Sequence, residues 1–113
     1  MRHRTSLSSE LLPGTLEMLI LKTLTRGPAH GYAIARHLER TSDDVLRVGE
    51  SSLYPALQRL LAKDWVRAEW GESELNRRAR IYRITPSGRK RLAEEAEGYH
   101  RLTGAIAAIL ETT

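Results

Sequence analysis

The chain has 113 residues, enough for one domain built on one modest core. It contains no cysteine, which excludes disulfides, cysteine-based zinc sites and thiol catalysis. Lys and Arg total 18 against 14 Asp and Glu, leaving a formal net charge of +4 and a pI near 9.8, a balance compatible with a polyanionic partner.

In chain order, residues 1–12 are polar and read as a flexible N-terminal arm. Their basic residues are followed by no continuous apolar stretch, so no signal peptide is expected. The longest apolar run, residues 18–21, is far too short to cross a bilayer. A cytoplasmic protein without a membrane partner is the expectation. Pro13-Gly14-Thr15 marks a helix entry, with Thr15 as cap and Glu17 in the first turn. The segment that follows is apolar on most sides, so the helix should be deeply buried, and Gly27-Pro28 stops it. A second helix over about 30–40 turns Ile34, Ala35 and Leu38 inward. A polar connector with a small apolar insert, Val45, Leu46 and Val48, comes next.

The third helix has the clearest periodicity. Leu53, Leu57, Leu60 and Leu61 share one face, and the opposite face carries Ser51, Ser52, Pro55, Gln58 and Arg59, with Tyr54 at the border. Ser51 or Ser52 is the expected N-cap, which places Pro55 in or near the first turn. Val66, Ala68 and Trp70 then alternate with Arg67 and Glu69 as a half-buried strand, and residues 79–84 form a second. A polar loop of about eight to ten residues, rich in arginine, is expected between them. Thr85-Pro86 opens a last helix reaching about residue 111, with Leu92, Ala96, Tyr99, Thr103, Ile106 and Leu110 on one seam.

Three helices followed by a hairpin is the order of a winged helix-turn-helix, over residues 13–85, and residues 86–113 add a C-terminal dimerisation helix. The expected class is mainly α with a small β-hairpin. In that design the third helix enters the DNA major groove and the hairpin tip reaches the flanking backbone. Ser51, Ser52, Gln58 and Arg59 can donate to base edges or phosphates, and Arg77, Arg78 and Arg80 can neutralise phosphates or enter a narrow minor groove. Taken singly, each of these groups is also ordinary solvated surface; their order along the chain is what singles them out. Tyr32 and Tyr54 either bond phosphates or seal the edge of the core. His3, His30, His37 and His100 offer no ligand pair at helical spacing, and neither a nucleophile elbow nor a phosphate-binding glycine loop is present. No enzyme, metal or cofactor is expected.

The segments HGYAIARHL (30–38), SSLYPALQRLLAKDWV (51–66) and RIYRITPSGRKRL (80–92) make the chain resemble the PadR-type transcriptional regulators, small bacterial winged-helix proteins. The likeness spans nearly the whole chain from residue 12. Its most specific marks are LYPAL and the hairpin exit Tyr82, Thr85, Gly88. The runs LLPGTLEMLIL and GESELNRRARIYRIT resemble a subgroup with short C-terminal regions. The resemblance implies a DNA-binding homodimer, usually a repressor. It implies Tyr32 and Tyr54 near phosphates, the start of the third helix in the groove, and Asn76 to Arg80 as the wing. It also implies a last helix packed on the partner subunit. Some family members hold planar aromatic compounds with a tryptophan, which makes Trp65 and Trp70 possible ligand residues, although such side chains more often pack in the core. No effector can be named. A protein-interaction module is the rival reading, favoured by Glu72 and Glu74 in the wing, and an aromatic-ligand sensor is the third.

Overall fold

The computed structural model describes residues 14–73 and 75–113; the expected arm, residues 1–12, and Glu74 lie outside them. Four helices and three short strands follow in the order α1 (Thr15–Leu24), β1 (Ala29–His30), α2 (Gly31–Thr41), α3 (Glu50–Ala62), β2 (Val66–Glu72), β3 (Arg78–Ile84) and α4 (Pro86–Leu110). The fold is a winged helix with a long C-terminal helix.

Helix α1 is the centre of the core. Ile20, Leu21 and Leu24 are fully buried, with Leu16 and Met18 nearly so, as its all-round apolar pattern requires. Its cap is Gly14 rather than Thr15: the backbone there turns through φ 87°, a left-handed conformation suited to glycine, and Thr15 is the first helical residue. Helix α2 buries Ile34 and Leu38 against α1, and its cap is His30, whose Nδ1 accepts from the Ala33 N–H at 3.3 Å.

Helix α3 packs Leu53, Ala56, Leu57 and Leu60 inward, so its leucine periodicity is realised. Its start is earlier than the serines suggest. Gly49 is the cap and supplies no side-chain bond, and the Leu53 N–H donates to the Gly49 carbonyl at 2.9 Å. Burial of Val48 just upstream fixes the chain's entry there. Pro55 therefore sits inside the helix, past the first turn, and its missing N–H leaves the Ser51 carbonyl without its usual intrahelical donor, on the exposed side.

The sheet has three strands in the order β1-β3-β2, all antiparallel, not the two expected. Strand β1 is the addition: Ala29 and His30 pair with Tyr82 and Ile81. Strands β2 and β3 are longer than expected and pair from Val66↔Ile84 out to Glu72↔Arg78, leaving only residues 73–77 as the tip. Arg78 and Arg80 consequently lie on a strand, and Asn76 and Arg77 alone belong to the turn. Ser73 ties that turn together: its Oγ accepts from the N–H groups of Leu75 and Arg77, and its own N–H donates to the Arg77 carbonyl at 2.9 Å.

Thr85 caps α4 as its Thr-Pro signature predicts, its Oγ1 accepting from the Gly88 N–H at 3.0 Å and donating to the Asp64 carbonyl at 2.7 Å. Ser87 Oγ donates to the same carbonyl at 3.0 Å, and the Thr85 N–H donates to the Trp65 carbonyl at 3.0 Å. Gly88 is buried against that strand entry so closely that a Cβ there would lie 2.1 Å from the Trp65 carbonyl oxygen. Leu92 then packs against the core, beside α1. Beyond Tyr99 the helix runs past the domain, and Leu102, Ile106, Ile109 and Leu110 are exposed, the last two at 70% and 78%.

Candidate nucleic-acid interface

The N-terminus of α2, the start of α3 and the inner face of β3 meet at one open cleft of about 520 Å³, lined by Tyr32, Tyr54, Arg77, Arg78 and Arg80 among others. Period-two alternation explains the arginines. Arg78, Arg80, Tyr82 and Ile84 share a sheet face, and that face is core at Tyr82 and open at Arg78. Burial raises the pKa of the Tyr82 hydroxyl, partly opposed by Arg80, whose guanidinium carbon sits 5.9 Å from the Tyr82 ring centroid. Tyr54 reaches the cleft because residue 31 is a glycine. A Cβ at Gly31 would stand 2.7 Å from the Tyr54 hydroxyl oxygen.

Ion pairing divides the arginines into two groups. Arg59 Nε is bound to Glu17 Oε2 at 2.7 Å, Arg67 to Asp64 at 3.1 Å, Arg83 to Glu69 at 2.9 Å and Arg91 to Glu95 at 2.6 Å. Hydrogen bonding to the partner raises the pKa of Arg59 and of Arg67 and lowers that of Asp64. Among the described residues Arg77, Arg78 and Arg80 pair with no carboxylate. Their guanidiniums are left free to meet an anion at the cleft, with Glu72 opposite Arg78 in the strand pair as the described acidic neighbour.

The residues singled out from the sequence thus fall into distinct places. Tyr32, Tyr54, Arg77, Arg78 and Arg80 come together. Ser51, Pro55 and Gln58 are exposed on the outward side of α3, and Ser52 is half-buried at its edge. Arg59 is separated from them, because it leans toward α1 and is held by Glu17, 42 positions away in sequence. Asn76 adopts φ 60° in the wing turn, a left-handed conformation that asparagine tolerates. Glu72 is exposed at the end of β2.

The two tryptophans do not share a pocket. Trp65 is half-buried against the core with the Arg91 guanidinium 4.9 Å from its ring centroid, and it lines a hollow of about 250 Å³ with Met18 and Leu60. Trp70 stands on the wing, roughly 16 Å further along the chain at about 3.3 Å per residue. Of the seam on α4, Leu92, Ala96 and Tyr99 line a groove of about 490 Å³ against Met18 and Leu19 of α1. Thr103 turns its hydroxyl back to the Tyr99 carbonyl at 2.9 Å, and Ile106 and Leu110 lie beyond α1 in solvent.

Sequence reasoning passed over a second basic surface. Arg26, Arg36 and Arg40 flank Tyr32 around a hollow of about 520 Å³ that reaches Ser73 and Leu75 of the wing tip. Arg36 Nη1 donates to the Tyr32 hydroxyl at 3.0 Å. Arg26 bonds His37 Nδ1, and burial together with Arg26 and Arg40 lowers the His37 pKa, which favours the neutral ring. A signal existed: Arg36 and Arg40 are like charges at i, i+4, a spacing that costs helix stability unless the charges serve another purpose. Among the described residues no group of three His, Asp or Glu side chains is placed to hold a metal ion. No helix among them is long and apolar enough to cross a membrane.

Residues 20–94 match the model of the transcriptional regulator PadR-like family. Among solved structures, a transcriptional regulator from Clostridium thermocellum is 28% identical and superposes with a TM-score of 0.79, over 87% of this chain and 95% of that one. A PadR family transcriptional regulator from Eggerthella lenta is 33% identical with a TM-score of 0.73, over 88% and 85% of the two chains. A 37.1 kDa protein of transposon Tn4556 from Streptomyces fradiae is 43% identical over 90 residues, 80% of this chain; the chain spans 24% of that relative's length.

Proposed function

Because the chain belongs to the PadR-like family of transcriptional regulators, we propose that it is a sequence-specific DNA-binding repressor acting as a homodimer on an inverted repeat. The observation that carries this reading is the cleft where two tyrosine hydroxyls and three arginines, unpaired with any described carboxylate, adjoin the exposed start of α3. Such a surface suits a duplex: α3 enters the major groove, Ser51 and Gln58 meet base edges, and the wing arginines with Tyr32 and Tyr54 take the phosphates alongside. Arg26, Arg36 and Arg40 extend the positive surface over α2 toward the next stretch of backbone. The apolar end of α4 supports self-association, since a second copy covers the same patch on both subunits. Two copies of α3 are then set about 34 Å apart, one duplex turn.

Sequencing of genomic DNA retained by the protein tests this directly. Short inverted repeats are expected to be enriched; equal affinity for the enriched site and a scrambled duplex would overturn the reading. Within such a site, Gln58→Ala is expected to cost about 1–3 kcal/mol and to relax the preference at the contacted base pairs. Arg59→Ala is expected to leave the base preference unchanged, because its guanidinium is engaged by Glu17. A selection of randomised sites with each variant reads the difference.

A second expectation concerns the floor of the cleft. Gly31→Ala displaces the Tyr54 ring while the helix itself gains a better former. Helix content by circular dichroism should be retained, and affinity for the site, measured by fluorescence anisotropy, should fall about tenfold, or about 1.4 kcal/mol.

A further inference from the structure

Trp70 is 57% exposed on the outer strand of the wing, an unusual place for so large an apolar surface. It faces Arg80 across the strand pair and shares the sheet face that carries Arg78 and Tyr82. The guanidinium carbons of Arg78 and Arg80 lie 4.8 and 5.7 Å from the centroid of its rings. Two like charges drawn onto one indole repel each other, and among the described residues neither guanidinium forms an ion pair with a carboxylate. Glu72 is paired in register with Arg78 yet forms no ion pair with it.

A guanidinium stacked on an aromatic ring uses its flat face and keeps its N–H edge free. Side chains as long as arginine ordinarily lose rotamer freedom when they grip a ligand, and a ring that has already fixed them lowers that loss. We propose that Trp70 is a positioning residue of the wing, holding Arg78 and Arg80 with their N–H edges turned out to receive two backbone phosphates of a nucleic-acid duplex. The inference rests on the DNA-binding reading above. It assigns Trp70 no base contact and no bound small molecule.

A double-mutant cycle read by fluorescence anisotropy on the enriched duplex, across a salt series, tests it. The Arg78→Ala, Arg80→Ala double variant removes two charges from each subunit, four from the dimer on its full site, and should flatten the slope of log K against log salt by about 3.6. Trp70→Ala keeps both charges, so it should lower affinity about tenfold with the slope unchanged. In the double-arginine background Trp70→Ala should lower affinity less than twofold. Trp70→Phe, which keeps a π face, should recover most of the loss; Trp70→Leu, which keeps apolar bulk without one, should not, and this pair separates stacking from packing. If the double-arginine variant binds like the unmodified protein at every salt, the wing is not a phosphate contact, and the inference falls with that part of the reading. If it weakens as expected while Trp70→Ala is silent or additive, or Trp70→Leu binds like Trp70→Phe, the positioning role is overturned and the DNA-binding reading stands.

Discussion

Ile106→Asp is expected to yield a monomer whose affinity for a full inverted repeat is about a hundredfold lower, because linking two binding modules is worth at least that factor in avidity. Ile106 is 45% exposed and lies beyond the part of α4 that packs on α1, so the charge does not enter the core of the subunit. The fold should therefore persist, since surface substitutions of this kind usually change stability by less than about 0.5 kcal/mol. Leu102, Ile109 and Leu110 surround it on the same overhang. A carboxylate placed among them twice, once from each copy, would be desolvated in a two-fold interface without a cation to pair with. Sedimentation velocity at tens of micromolar measures the first half of this expectation, and anisotropy on full-site and half-site duplexes the second. A dimer that survives the substitution would move the interface elsewhere. Half-site binding should remain close to that of the unmodified protein, which separates loss of pairing from loss of fold.

Gly88→Ala is expected to be the most destabilising glycine-to-alanine change among the described residues. The added Cβ would overlap the Trp65 carbonyl oxygen at 2.1 Å, and the group it meets is backbone at the entry of β2, which cannot swing aside. The Ile84 side chain, 2.9 Å from the same point, closes the other side. Relief requires α4 to lift away from the α3–β2 turn, which breaks the bonds of Thr85 and Ser87 to the Asp64 carbonyl. Overpacking of this kind costs about 3 kcal/mol. In a domain of this size that loss lowers Tm by roughly 12 °C, at about 4 °C per kcal/mol. Urea titration followed by circular dichroism gives the free energy. Ser87→Ala, which removes one exposed member of the same knot, should cost about 1 kcal/mol or less.

What the sequence made legible was what local pattern controls. The leucines of α3 recur at helical spacing, and Leu53, Leu57 and Leu60 are buried with Leu61 half-buried beside them. Thr85-Pro86 reads as cap and first residue and behaves so. Departures arose wherever a distant partner decided the outcome. The serines at 51 and 52 are better caps than Gly49, yet burial of Val48 and Leu53 sets where the helix begins. Strand β1 is two residues long, too short for any alternation, and exists only because β3 offers it an edge. Arg59 looked like its neighbour Gln58 until the fold brought Glu17 alongside. The loop between β2 and β3 shrank because strand pairing extended through polar residues whose side chains gave no sign of it. In the candidate interface, the wing arginines follow from chain order and Tyr32 and Tyr54 from the resemblance to the family, whereas the arginines of α2 emerge only with the wing tip beside them.

The run from β3 into α4 has a mechanical consequence. One residue, Thr85, separates the strand that carries Arg78 and Arg80 from the helix that ends in the apolar overhang. That residue is bonded to Asp64 and Trp65, and Gly88 seats the helix directly on the same turn, so there is no joint between wing and helix. The 25 residues of α4 form a rigid arm roughly 37 Å long. A tilt of about 5° at its base moves its tip by about 3 Å, at 1.5 Å of rise per residue. Four residues, 85–88, thus act as the set screw of a caliper: they fix the angle of the arm and, through it, where its apolar tip sits relative to the wing.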